Sequence, residues 1–191
     1  GPGPTLAPVA YDGIRAFVDD LDRGGELVRV TEPVSAELEI TAVADAAMKS
    51  PGGGKALLFE SVVLPGGGRS EFPVGINLFG SAERMRRVLG GRTADEVADE
   101  MAYLLKAKPP RTLAEGWELL RRGIGVVHAR PSRVGSGPCK EVVHRLDGKA
   151  AAFDLARLPV LKCWPEDGGP FVTLPTVHTR DPDTGERNIG M

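Results

Sequence analysis

The chain has 191 residues, with 24 Lys and Arg against 26 Asp and Glu and a formal net charge of -2. Hydrophobic residues make up 41% of it, enough to build a core, so it reads as a globular chain rather than a disordered one. The near-neutral balance argues against a nucleic-acid partner, two cysteines (Cys139, Cys163) without a CxxC pair argue against a disulfide framework or zinc site, and no apolar run is long enough to span a bilayer.

The opening Gly1-Pro2-Gly3-Pro4 resembles a protease-cleavage scar of an expression vector, and residues 1–10 are set aside as a tail. From Tyr11 to Arg23, Ile14, Phe17, Val18 and Leu21 recur at helical spacing, with Asp12 as the expected cap and Gly24-Gly25 as a left-handed stop. Glu26 to Thr31 reads as a short strand ended by Pro33. Ser35 is expected to cap a second helix running to about Lys49, with Glu37 and Glu39 near its positive end. Pro51 to Gly54 is a turn, Ala56 to Phe59 a buried strand, Leu64 to Ser70 a glycine-rich loop, and Phe72 to Leu78 a further strand.

Ser81 opens a short helix, and Arg84, Arg86 and Arg87 on it are expected to form a solvated face. Thr93 with Glu96 makes a capping box before the stripe Val97, Met101, Leu104 and Leu105, stopped by Lys108-Pro109-Pro110. Thr112 with Glu115 makes a second box before Leu113, Trp117 and Leu120. Met101 and Trp117 are expected to pack in the core. Beyond Arg122 the pattern becomes all-β, with strands at Gly123–Ala129, Glu141–His144 and Phe171–Arg180. Helix–strand alternation followed by strands alone places an α/β domain at 11–121 and a second, β-rich unit at 122–191, with the boundary near 108–123. Asp181 to Glu186 is a turn, and Arg187 to Met191 should be the returning strand, so the polypeptide reads as a piece of a longer one. Cysteine usage sets a reducing cytoplasm as the expected location.

Several blocks in order carry a family resemblance. Gly137-Pro138-Cys139-Lys140-Glu141-Val142-Val143, the stretch Leu158-Pro159 followed by Trp164 through Thr173, and Thr179-Arg180-Asp181-Pro182-Asp183-Thr184-Gly185-Glu186-Arg187-Asn188-Ile189-Gly190-Met191 each resemble a motif of the UbiD carboxy-lyases. Upstream, Gly25 to Val30, Ala56 to Glu60 and Asn77 to Ser81 resemble the family's N-terminal blocks. The resemblance implies an α/β N-terminal domain followed by the start of a split β-barrel, related to flavin reductases. It implies reversible, non-oxidative decarboxylation of an aromatic or α,β-unsaturated carboxylic acid, with prenylated FMN supplying the hard chemistry. It also implies a homo-oligomeric parent protein.

By the same resemblance Asn188 matches an asparagine ligand to the divalent cation, usually Mn2+, that binds the cofactor phosphate, and K+ is a further candidate ion of the parent protein. Thr173 matches a cofactor-contacting threonine. Ile189, Gly190 and Met191 match the strand beside the flavin, where a small residue permits close backbone approach. The catalytic arginine and glutamates are expected past Met191, so no catalytic residue is assigned within the chain. The isolated chain is expected to be inactive, with its cofactors absent. A hairpin symmetric about Asp183-Thr184 pairs Asn188 with Thr179, on the same face as Thr173, unless a bulge at Gly185 shifts the register. The other reading is a non-catalytic module for flavin-nucleotide binding or subunit assembly. Lacking the family, Asn188 would be a turn-side hydrogen bonder, His178 a surface strand residue, Cys163 a small buried or loop thiol, and Asp167 the cap of the Gly168-Gly169 turn.

Overall fold

The computed structural model describes residues 10–106, 112–113, 117, 134–143 and 154–190. These group into two units, one drawn from residues up to 27 and from 78 to 152, the other from 28–77 and 153–191. The expected boundary at 108–123, the strand at 123–129 and most of the second capping box lie outside the described residues.

In the first unit, α1 (Ile14–Arg23) buries Phe17 and Leu21, one helical turn apart. Gly13, in extended backbone, sits at its N-cap without a side-chain cap, so Asp12 does not take that role. Its C-terminus ends as expected. The N–H of Glu26 donates to Leu21 O (2.8 Å), that of Gly25 to Asp22 O (3.0 Å), and Gly25 adopts φ +70°. That pair of bonds with a left-handed residue is a Schellman cap, which satisfies otherwise orphaned carbonyls.

Phe17 stacks on Phe79 at 5.7 Å between centroids and meets Tyr11 at 5.0 Å. The Tyr11 hydroxyl donates to Asp20 (2.9 Å), which also accepts from Arg87 (3.3 Å). The Tyr11 bond, followed by Arg87, holds the Asp20 carboxyl below its ordinary range, and burial with the Asp20 contact pushes the phenol up.

Helix α3 (Ala82–Val88) starts at Ser81, whose hydroxyl accepts from the Arg84 N–H at 3.1 Å. Arg84 departs from the solvated face expected of it. It is fully buried, and its guanidinium meets Glu26 at 3.3 Å. A buried cation is tolerable because a carboxylate faces it. Helix α4 (Ala94–Lys106) carries the expected capping box, Thr93 N–H to Glu96 Oε2 at 2.7 Å and Glu96 N–H to Thr93 Oγ1 at 3.2 Å. Met101 and Trp117 are 58% and 65% exposed rather than packed in a core, because no described residue covers them. Pro138–Lys140 forms a 3-10 turn, and Glu141–Val143 is not a strand as far as it is described.

The second unit holds a three-stranded sheet, β1 (Leu27–Val30, from Val28 on), β3 (Ala56–Phe59) and β5 (Val74–Ile76), in the order β1-β3-β5. Strands β3 and β5 are antiparallel, with Leu57 opposite Ile76 and Phe59 opposite Val74. A short parallel pair joins β2 (Val34–Ser35) to β4 (Val62–Val63), neither evident from periodicity. Helix α2 (Glu39–Met48) lays Ile40 and Ala44 on Val34, Leu57, Phe59 and Val62. Each large side chain in that core contributes roughly 1.5–3 kcal/mol by leaving water.

Leu161 enters the same core from more than 90 residues on. Around it the Lys162 N–H donates to Ala36 O (3.2 Å) and the Leu38 N–H to Lys162 O (2.9 Å). This pairing explains why α2 begins at Glu39 rather than at Ser35. Glu37 forms a parallel bridge to Lys162, and Leu38 (φ 67°, ψ -39°) turns the chain through a bond from the Glu39 N–H to Glu37 O at 2.8 Å. A non-glycine residue in that γ-turn is strained, and the packed strap of residues 160–163 holds it there. Cys163 is half-buried against the core, and Asp167 caps Trp164 (2.9 Å to its N–H) rather than the Gly168-Gly169 turn.

Candidate functional site

The last described segment is a hairpin of β6 (Val177–Arg180) and β7 (Arg187–Gly190). Its turn forms because Asp181 collects the N–H groups of Asp183 (2.9 Å) and Thr184 (2.7 Å), while Gly185 takes φ +72°. Those bonds, led by Thr184, hold the Asp181 carboxyl below its usual range. The ladder pairs Val177 with Gly190, His178 with Ile189, Thr179 with Asn188 and Arg180 with Arg187. The Asn188–Thr179 pairing expected from symmetry therefore holds, and Gly185 introduces no shift. All eight strand residues are exposed. Two strands alone are marginal in water, and among the described residues no barrel-like sheet continues from them.

Alternation along the strands puts Val177, Thr179, Asn188 and Gly190 on one face. His178, Arg180, Arg187 and Ile189 take the other. An added side chain at Gly190 would meet only the Asn188 amide nitrogen, at 3.9 Å, so that face is open. Asn188 lines a polar groove of about 470 Å³ with Thr179, Arg180, Asp181, Glu186 and Arg187. Ile189, 62% exposed, faces away from Asn188, and Met191 lies outside the described residues.

Thr173 is not on the hairpin. The expected strand from Phe171 shrinks to Val177–Arg180, because Pro170 and Pro175 lack ladder donors and Thr173-Leu174 form a bend. The shared-face argument for Thr173 and Asn188 therefore fails. Thr173 instead lines a mainly apolar hollow of about 200 Å³ with Val74, Ile76, Leu161 and Phe171. The two residues border separate depressions. Apolar walls suit a ring system, and an amide, a hydroxyl and carboxylates suit a hard cation with its phosphate. Among the described residues no three His, Cys, Asp or Glu side chains converge on a metal position, so the chain's own donors fit part of such a site. Sequence reading did not single out Arg180 and Arg187, which border the same groove. The symmetry that pairs Asn188 with Thr179 already pairs them.

Residues 18–105 match the family model of the 3-octaprenyl-4-hydroxybenzoate carboxy-lyase N-terminal domain, and residues 131–191 that of the 3-octaprenyl-4-hydroxybenzoate carboxy-lyase Rift-related domain. An uncharacterised protein of Aquifex aeolicus is 41% identical over 95% of the chain and 35% of its own length. One from Archaeoglobus fulgidus is 39% identical over 96% of the chain, again 35% of its own length. Among solved structures, the open form of Sedimentibacter hydroxybenzoicus vanillic acid decarboxylase is 25% identical with a TM-score of 0.64, over 96% of this chain and 33% of that one. The UbiD-class enzyme HmfF from Pelotomaculum thermopropionicum in complex with FMN is 25% identical with a TM-score of 0.59, over 92% and 32%. The chain thus spans about a third of the length of the relatives it matches.

Proposed function

Because the chain belongs to the UbiD carboxy-lyase family, we propose that it forms the front third of a prenylated-FMN decarboxylase acting on aromatic or α,β-unsaturated carboxylic acids. The observation that carries the reading is the two family matches in order along one chain, ending on the hairpin that sets Asn188 beside a polar groove. Residues 11–121 are the α/β domain, and 122–191 begin a split β-barrel. The parent protein is a cytoplasmic homo-oligomer.

Asn188 offers an amide oxygen to a divalent cation, Mn2+, that would hold the nucleotide phosphate, and K+ is a further candidate ion of the parent protein. The remaining coordination comes from outside the described residues. Gly190 leaves room for a flat ring beside the backbone, with Ile189 and Met191 flanking it, and Thr173 presents a hydroxyl at the mouth of an apolar hollow. When bound, the modified flavin would supply an electron sink for the pair released as carbon dioxide leaves. No residue among the 191 matches the family's catalytic arginine or glutamates, so the chain alone is inactive in this reading.

The test is carbon dioxide release from a panel of cinnamic-type and hydroxybenzoic acids by the full-length gene product loaded with prenylated FMN. Release from at least one acid is expected, and none from the 191-residue chain. Flavin binding by the full-length protein without release from any acid would favour a non-catalytic flavin-binding or assembly module. Turnover by the short chain would overturn the placement of the catalytic groups.

A further inference from the structure

Residues 170–176 carry Thr173 and belong to no strand or helix. Pro170 and Pro175, which lack N–H groups, bracket Thr173. Among the described residues, one hydrogen bond ties this stretch to another segment: the Phe171 N–H donates to Leu161 O at 3.1 Å. Leu161 is itself held from the other side. Its side chain is 6% exposed in the core with Val34, Ile40, Leu57, Phe59 and Val62. The next residue, Lys162, bonds through its backbone to Ala36 (3.2 Å) and Leu38 (2.9 Å). Leu161, Phe171 and Thr173 line one hollow. The carbonyl that anchors the Thr173 stretch therefore belongs to a residue whose own place is set by the core of residues 34–62.

Resting on the reading of Thr173 as a flavin contact, we propose that Leu161 is a positioning residue for that contact. So buried a side chain offers a ligand almost no surface, and it acts through its carbonyl. Close-packed interiors transmit a lost methylene as a shift of their neighbours. A shift of Leu161 moves the Phe171 N–H, and with it the hydroxyl two residues on. Hydrogen bonds weaken once donor and acceptor part beyond about 3.2 Å, so a small displacement is enough to lose the contact. The core under α2 and β3 thereby decides how well position 173 meets the flavin, although that core touches no part of it.

The experiment is a double-mutant cycle on FMN affinity, read by fluorescence quenching in the full-length protein. It compares wild type with Thr173→Val, Leu161→Val and the double variant. Ile40→Val is the control, because it takes one methylene from the same core at a residue that does not line the hollow. Thr173→Val should raise the FMN Kd about fivefold, the worth of one hydrogen bond. Leu161→Val should raise it by about threefold or more and by no more than Thr173→Val does. In protein that already carries Thr173→Val, adding Leu161→Val should change the Kd by less than about twofold. Ile40→Val and the volume-conserving Leu161→Met should stay within about twofold of wild type. An unchanged Kd for Leu161→Val, additive losses in the double variant, or an equal loss in Ile40→Val or Leu161→Met overturns the positioning role and leaves Thr173 as the contact. Wild-type affinity in Thr173→Val overturns the contact and the positioning role with it. Wild-type protein that binds no FMN overturns the flavin reading itself.

Discussion

Replacing Leu161 by Ala tests whether the late segment of the chain is structural to the second core. Leu161 is 6% exposed among Val34, Ala36, Ile40, Leu57 and Phe59. The substitution removes three carbons from that interior, about 2.4 kcal/mol of transfer free energy at about 0.8 kcal/mol per carbon. The residual cavity adds to this, for a total of about 3–5 kcal/mol. The strap bonds at Ala36 and Leu38 depend on Leu161 staying in place, so the strained Leu38 turn should loosen with it. Urea unfolding, with amide hydrogen exchange at Ile40, Ala44 and Phe59, reads the loss. Leu155→Ala, at a position 69% exposed, is the control and should change stability by less than about 0.5 kcal/mol. A Leu161→Ala loss below about 1 kcal/mol, or undiminished protection in α2 and β3, would refute the packing argument.

Gly54→Ala should destabilise by about 1–3 kcal/mol, because the new carbon falls 2.1 Å from Ala47 O at φ +59°. Gly66→Ala meets nothing within 4 Å and should be neutral, so equal thermal shifts for the two would contradict the geometry. Glu26→Ala removes the carboxylate that meets the buried Arg84 guanidinium and should cost about 1–3 kcal/mol, at the low end because Glu26 is partly exposed; a neutral result in chemical denaturation would count against the pair. The Glu96 carboxyl is held below its usual range, first by the Thr93 N–H. Its contribution to stability is therefore complete above the ordinary carboxylate pKa and lost as pH falls through the lower folded value. Glu96→Gln should flatten that acid limb, and an NMR titration of the Glu96 side chain at an ordinary pKa would refute it.

Local chemistry was legible in the residues alone. The Schellman end of α1, the Ser81 cap, the Thr93–Glu96 box, strand β3 and the Asp181–Glu186 turn each depend on groups a few positions apart, so spacing is enough to find them. Hairpin symmetry did the same for Asn188 opposite Thr179, and the ordered motifs for the family. Only the tertiary structure decided that Arg84 is buried against Glu26, that Leu161 completes a core built by residues 34–62, and that α2 is delayed to Glu39. Each of these turns on a partner distant in sequence. No periodicity records which distant carbonyl will claim an N–H, or which carboxylate will meet a cation. The same holds for Thr173, where two prolines outweighed β-propensity and placed it at a hollow apart from the hairpin.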